Sequence, residues 1–312
     1  MSLIGTMGSG VSALRTFSKG LEVIGNNIAN INTTGFKGSE AKFADSFSNI
    51  LERSSPSSGD VANVPYTGVG TGVRLAGIST NFTQGSLAST GKTTDLGISG
   101  NGFFRVKNAT DGQEYATRAG DFRWDDRGYL VTAQGYRVQG LTGGVGAIAA
   151  VPAVGAAPAV PAVPAVVPTT IGDVKYGTPP AGEQLQSVSV DRYGSIIEFY
   201  SDGSSATTNQ VLLQNFNDPS ALNKEGNNLY SGLIAAGPIG AVAGSAALLA
   251  TGANTPGSFG LGTIQSGAIE LSNVDLTDQF AQLITMQRSF QAGSRLVTLS
   301  DSVLQEIVDL KR

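Results

Sequence analysis

The feature that most constrains this chain is an apolar repeat at its N-terminus. Leu3, Met7, Gly10, Leu14, Phe17, Leu21, Ile24, Ile28 and Ile31 succeed one another in alternating steps of four and three. That is the spacing of a heptad seam on one face of an α-helix. Gly10 is its one non-apolar member, and Arg15, Lys19 and Glu22 fall off it. Asn26, Asn27, Asn30 and Asn32 favour turn and left-handed conformations, and Gly35 supplies a stop, so the helix is expected to end between Asn30 and Gly35. The other end of the chain has a matching segment. From Leu276 apolar residues recur at helical intervals through Phe280, Leu283, Phe290, Val297, Val303 and Ile307, with Gly293 the only glycine after Gly267. Asp275 and Asp278 open this segment and Lys311 and Arg312 close it, both favourable to a helix dipole, and Thr277 is the candidate cap. Two helices of ~30 residues, each ~45 Å long, carry stripes that neither can bury alone. They are expected to pack on each other as a coiled-coil-like pair or on neighbouring copies, the alternative being two helices docked on one globular core.

Between the helices the period changes to two. Leu96–Ile98, Phe103–Val106, Tyr115–Arg118, Phe122–Trp124, Tyr129–Thr132 and Tyr136–Gln139 are separated by glycine-containing turns, and the pattern resumes at Ser187–Val190, Ser195–Tyr200 and Val211–Phe216. This is the turn chemistry of an antiparallel meander, and it predicts an all-β sandwich or barrel-like middle. The fold class is therefore α+β. The expected divisions are an N-terminal helix over 1–34, an extended linker over 35–84, a central β domain over 85–140 and 184–266, an insertion over 141–183, and a C-terminal helix over 267–312. The insertion is low in complexity: no charge occurs between Val138 and Gly172, and Pro152, Pro158, Pro161, Pro164 and Pro168 punctuate runs of Val and Ala. A second uncharged stretch, Ile234–Ala253, contains too many glycines and a proline to read as a membrane span, and is expected to be a small-residue loop.

Composition removes much chemistry. The 312 residues include no His and no Cys. Without them there is no Ser-His or Cys-His nucleophile pair, and the usual zinc, iron–sulfur and haem ligand sets are missing. With 20 basic and 24 acidic residues and a net charge of −4, the chain is too acidic and too evenly balanced for a nucleic-acid binder. Charged residues make up only 14 %, about half the usual ~25 %. A surface so poor in charge is either covered, for instance by copies of the chain itself, or that of an ordinary weakly charged secreted protein. Met1–Gly10 has neither the basic nor the continuously apolar stretch of a secretory signal.

The remaining motifs are weak. Gly85–Thr93 ends in Gly-Lys-Thr but has five residues between its glycines where a phosphate loop needs four, and the next residues, Thr94–Gly102, read as strand. Asp121, Asp125 and Asp126 lie close together, and a type I turn before Gly128 explains the last two. No catalytic, cofactor or metal site is expected, and the chain is not read as an enzyme. Trp124 with Tyr115, Tyr129 and Tyr136 is the only aromatic cluster that a carbohydrate-binding or adhesin-like β protein would need, and it reads as core.

Several segments resemble one family. Leu21-Glu22-Val23-Ile24-Gly25-Asn26-Asn27-Ile28-Ala29-Asn30 with Thr33-Thr34-Gly35-Phe36-Lys37 is similar to the N-terminal signature of bacterial flagellar axial proteins, the rod, hook and hook-associated subunits. Asp95–Phe104 and Tyr115–Phe122 resemble two of their strand pairs, and Gly267–Leu276 and Met286–Ala292 resemble their C-terminal helix motif. The resemblance implies a self-assembling structural subunit whose terminal helices line an inner tube and whose β domain forms the outer shell. It implies export through the flagellar type III apparatus without a cleaved signal, to an extracellular place in the hook–basal body. Ser272–Leu276 and the Leu310-Lys311-Arg312 ending favour the hook, a flexible tube passing torque to the filament. The short body and the long Ser46–Thr67 segment favour the alternative, a distal rod subunit; the chain is read as a compact hook protein. The partners implied are further copies in a helical homopolymer, the distal rod and hook–filament junction proteins, the hook cap and the export apparatus. The expected helix-packing set is Leu14, Phe17, Leu21, Ile24 and Ile28 with Phe280, Leu283, Phe290 and Val297. Asn26, Asn27, Asn30, Gly35 and Phe36 are expected to set the helix exit, and Gln287 and Arg288 to make polar contacts between subunits.

Overall fold

The computed structural model describes residues 3–54, 56, 63, 65–143, 170–177, 183–240 and 254–310. Most of the Val/Pro/Ala insertion and the second half of the Ile234–Ala253 stretch lie outside the described residues. The chain divides into two compact units: residues 1–31, 37–81 and 274–312 form one, and 32–36 with 82–273 the other.

The first unit is built on two helices, α1 (Leu3–Ala29) and α2 (Leu276–Asp309). They run antiparallel: Thr6 meets Ser300, a Cβ on Gly10 would meet Val297, one on Gly20 would meet Met286, and Asn27 bonds Gln279. The seam differs from the expected one. On α1 the contacts to α2 fall at Thr6, Gly10, Ala13, Leu14, Gly20 and Asn27, so that the expected Gly10 and Leu14 are joined by the residues just before Leu14, Leu21 and Ile28. Small residues set this register, because two helix backbones approach closely only where no Cβ intervenes. Gly10, which interrupts the apolar stripe, is a point of close approach: a Cβ there would lie 3.0 Å from Val297 Cγ2 and 3.5 Å from the Gly293 carbonyl. Leu14 packs over Gly293, with Ala13 beside it. The cap of α2 also differs from expectation. Asp275, not Thr277, is the N-cap, its carboxylate accepting from the Thr277 and Asp278 amides at 2.7 and 3.4 Å.

The segment expected as an extended linker is paired strand over most of its described length. Ser39–Asp45 pairs antiparallel with Val73–Thr80, with a bulge at Lys42/Phe43, and Ser48–Glu52 pairs with Thr67–Gly70. In the first strand Glu40 and Lys42 are exposed while Ala41 and Phe43 are half-buried, the alternation of a strand with one covered face. α1 covers that face. The Phe17 and Phe43 rings meet edge to face at 6.0 Å, and the Thr16 hydroxyl donates to the Val73 carbonyl.

The second unit is antiparallel β throughout. Its main sheet has thirteen strands, along the path Leu185–Val190, Ser195–Tyr200, Ser205–Val211, Arg137–Thr142, Phe103–Lys107, Glu114–Thr117, Leu229–Ser231, Asn223–Gly226, with short strands branching from it. No pairing among the described residues joins the ends of this path into a closed barrel. Thr170–Asp173, inside the segment read as an insertion, is a strand paired with Arg137–Thr142, so the described sheet continues into that region. Its four residues are too few to show a period against the surrounding Val and Ala. Leu96, Ile98, Phe104, Val106, Val138, Ile196 and Leu213 form the centre of the larger core, and Phe103, Phe216 and Tyr230 that of a second cluster.

The Gly-Lys-Thr segment is part of this β structure. Leu87–Ser89 pairs with Ala268–Glu270 and Leu96–Ser99 with Thr263–Ser266, so no helix opens after Thr93 to receive a phosphate. Asp125 closes a turn, its carboxylate accepting from the Arg127 and Tyr129 amides at 3.0 and 2.7 Å. The Trp124 cluster is packed: Trp124, Tyr115 and Tyr136 lie against the core, and the Arg137 guanidinium covers the Tyr129 ring at 4.0 Å.

Candidate functional site

α2 carries apolar residues on more than one side. One meets α1 through Gln279, Leu283, Met286, Gly293, Val297 and Ser300. α2 also leaves large apolar side chains in the open, at the ends of that seam and on both of its flanks: Leu276, Phe280, Ile284, Leu296, Leu299 and Ile307 are each between 41 % and 63 % exposed. A helix in a lone globular protein keeps its outer face polar. Large apolar side chains exposed in such number on one helix point to a contact surface.

The expected packing residues divide between these faces. Ile24 is buried, and Leu14, Phe17, Leu21, Ile28, Leu283 and Val297 are half-buried. Phe280, expected to pack on α1, is 47 % exposed and lies beside the seam; Phe290, on the edge of the seam, is 38 % exposed. The reason is geometric. α2 is apolar over more than one stripe, and its large residues alone do not show which stripe meets α1. The small residues do. Gly293 and Ser300 are the buried residues of α2, and they stand opposite the region of Gly10 and Thr6. Large apolar residues do not point to Gly20, Gln279, Gly293 or Ser300, and helical spacing of small residues is the signal available for them.

The polar residues take several roles. Gln287 and Arg288 are exposed on α2, and Arg288 lines a shallow depression with Gln291, Ala292, Arg295, Leu296 and Leu299, on the outer side of the helix. Asn27 is buried and works in three directions: its amide nitrogen donates to the Ser39 carbonyl at 2.8 Å and to Gln279 Oε1 at 2.9 Å, and its oxygen accepts from the Ser39 amide at 2.9 Å. Asn30 closes the helix end by donating to the Asn26 carbonyl, and Asn26 is exposed. Gly35 has φ +66, and a Cβ there would strike the Ala119 amide nitrogen at 2.6 Å, so glycine is required on two counts. Phe36 is buried, with Lys224 Nζ 4.7 Å above its ring.

No group of three or more ligating side chains suited to a metal occurs among the described residues, and none of their helices is long and apolar enough to cross a membrane. The ionisable groups that are most perturbed serve the fold. Burial pushes the Tyr200 phenol well up, and its hydroxyl donates to the buried Glu198 carboxylate. Burial lowers the Arg118 guanidinium, against the opposing pull of Glu270.

Comparison with known proteins agrees with this picture of a surface made for assembly. Residues 7–37 match the family described as flagella basal body rod protein, 97–197 the flagellar hook protein FlgE/F/G D1 domain, and 265–310 the flagellar basal body rod FlgEFG protein C-terminal family. The flagellar basal-body rod protein FlgG of Bacillus subtilis (strain 168) is 35 % identical over 304 residues, covering 97 % of this chain and 98 % of that protein. The FlgG of Borreliella burgdorferi is 29 % identical, covering 100 % of this chain and 99 % of that protein. The flagellar hook protein FlgE of Treponema pallidum (strain Nichols) is 44 % identical over 133 residues, which is 42 % of this chain and 28 % of that protein. The chain belongs to the flagellar hook and rod family, whose members are structural proteins of the flagellar axis and not enzymes.

Proposed function

We propose that this chain is a rod subunit of the flagellar basal body that polymerises with copies of itself into a straight tube. The observation that carries the polymerising role is the set of large apolar side chains along α2 that remain exposed after α1 has packed against it. Head-to-tail contacts between identical subunits generate helical polymers. Exposed apolar side chains spread along a terminal helix suit such contacts.

The C-terminal sequence features favour the hook. Coverage supports the rod instead. The rod relatives align over nearly the whole of both chains, whereas the hook relative shares only a part that is 28 % of its own length. The similarity of the Ser272–Leu276 motif and the chain ending to hook proteins then reflects what the two subunits share. The long segment after Ser46 also supports the rod. Its described part is the hairpin Ser48–Glu52 with Thr67–Gly70, which exposes Phe47, Ile50, Leu51 and Tyr66. In this reading the subunit is exported by the flagellar apparatus without a cleaved signal. Its neighbours are its own copies, other axial proteins and the export apparatus.

Electron microscopy of polymers of the purified chain tests the proposal. Straight rod-like polymers are expected. Curved tubes would return the hook, and persistent monomers that bind sugar would return a carbohydrate-binding protein. A chain lacking Leu276–Arg312 is expected to stay monomeric, and its polymerisation would refute the role given to α2.

A further inference from the structure

The chain passes between its two units four times, at 31/32, 36/37, 81/82 and 273/274. Within the β unit, the segments beside these passages converge on one buried ion pair. Arg118 and Glu270 are 4 % and 0 % exposed, with Nη1 and Oε2 3.2 Å apart. The second Glu270 oxygen accepts from the Gly85 amide at 2.8 Å, and the Glu270 carbonyl accepts from the Gly35 amide at 2.7 Å. Arg118 Nη2 donates to the Gly100 carbonyl at 3.1 Å, and the Gly100 amide donates to Gln84 Oε1 at 2.8 Å. The guanidinium also lies 5.1 Å above the Phe103 ring, on which Phe82 packs edge-on at 5.6 Å. The Asn273 side chain closes the set by donating to the Thr83 carbonyl at 3.1 Å, and its amide donates to the Phe36 carbonyl at 3.4 Å.

We infer that the Arg118–Glu270 pair is an anchor that joins the four chain passages into one cooperative junction, so that they hold or loosen together. The argument is one of connectivity. Gly35 and Phe36 represent the first two passages, Phe82 to Gly85 the third and Glu270 to Asn273 the fourth. Each is bonded, directly or through one residue, to the pair. A buried ion pair is a poor source of net stability, because desolvating two charges offsets their attraction. Its geometry is directional, however, and removing one partner strands the other charge in the interior. That suits a fastening that must not slip better than it suits a core. For a subunit of the flagellar axis, the use of such a junction is that twisting load reaching one passage is shared by all; this use rests on the function proposed above, while the junction itself does not.

Amide hydrogen exchange on the full-length chain tests the junction, comparing wild type with Arg118→Met and Glu270→Gln. If the pair is an anchor, the Gly35, Gly85 and Asn273 amides exchange at least about tenfold faster in both variants. Amides in the distant Ser195–Tyr200 and Ser205–Val211 ladder stay close to their wild-type rates. A uniform rise over the whole β unit would overturn the inference and make the pair an ordinary stabilising contact. A rise confined to Gly85 would overturn it as well. Should Arg118→Met fail to fold, Arg118→Lys, which keeps the charge but not the fork, replaces it with the same expected pattern. Because exchange is read on the monomer, failure of the chain to form rod-like polymers would count against the proposed function and leave this result standing.

Discussion

Gly120→Ala is the substitution whose cost comes most directly from the geometry. Gly120 does not have a positive φ, so alanine brings no conformational strain there. The obstacle is space. A Cβ at 120 would stand 1.7 Å from the Leu96 carbonyl oxygen, far inside van der Waals contact, and the obstructing atom is backbone. The two segments must separate, which breaks the 2.9 Å bond from the Leu96 amide to the Gly120 carbonyl beside the fully buried Leu96 side chain. Stranding a buried amide costs about 1–3 kcal/mol, and displacing the packing of Leu96 and Phe104 about 1–3 kcal/mol more. Restricting the unfolded chain returns about 0.4–1 kcal/mol. The net destabilisation is about 3 kcal/mol, and with a urea dependence of about 3 kcal/mol/M the midpoint falls by about 1 M. Trp124, the only tryptophan, packs against the larger core of the same unit, so its fluorescence reports this transition. Gly135→Ala is the comparison. Nothing lies within 4 Å of a Cβ there, and φ is +88, so only the left-handed backbone is penalised, by about 1 kcal/mol. If Gly120→Ala lowers the midpoint no more than Gly135→Ala, the close approach of residues 96 and 120 is not as described.

Three further outcomes are expected. Gly10→Ala gains about 1 kcal/mol of helix propensity against a small shift of Val297, whereas Gly10→Leu forces α1 and α2 apart at a cost of about 1–3 kcal/mol; circular dichroism melts of the helical signal should separate the two. Replacing Leu296 and Leu299 by Gln should raise the critical concentration for polymerisation at least about tenfold, about 0.7 kcal/mol of lost burial per side chain sufficing, with the Trp124 urea midpoint unmoved. Burial pushes the Tyr230 phenol up. The folded chain then keeps a proton that the unfolded chain releases near about pH 10, so this contribution is complete below about pH 10 and is lost as pH rises from there toward the raised value; Tyr230→Phe should flatten stability against pH in that alkaline window, measured by urea titration.

How much of the fold can be read from the sequence depends on the range over which each signal acts. The end of α1 near Asn30 and the turns at Asp111-Gly112, Asp125–Gly128, Asp191–Gly194 and Ser201–Gly203 are legible, because a turn is specified by residues within four of each other, and the glycines at 112, 128, 194 and 203 all have positive φ. The existence of two amphipathic helices is legible for the same reason. Their register is not. Large apolar residues point to Leu14, Leu21 and Ile28, but the position of closest approach is chosen by the smallest residues on both partners, and one partner cannot be read without the other. The hairpin of Ser39–Asp45 with Val73–Thr80 is hidden by distance, its strands being joined by a long connection with no short turn to announce a pair. The Arg118–Glu270 pair is hidden likewise, since both residues lie in motifs similar to those of the family but 152 positions apart.

The low charge and high glycine content take on a different sense once the residues are placed. By composition, glycine suggests a small-residue surface able to slide against neighbours. Several glycines are instead interior and fixed: a Cβ on Gly85, Gly120, Gly140 or Gly262 would fall within 2.3 Å of a carbonyl oxygen of another segment. Those glycines let backbones cross, and give the β unit rigidity rather than slip. Charge moves the same way. Of a charged fraction of only 14 %, Lys37, Arg105, Arg118, Glu198 and Glu270 are buried, so the surface is poorer in charge than the composition implies. A surface with few charges loses little by desolvation when another surface covers it. In the proposed assembly the exposed apolar side chains of α2 would supply the attraction, and a β unit stiffened by close backbone crossings would hold its shape under load. That combination is what a straight shaft demands of its subunit, and a flexible joint would demand the opposite of the second property.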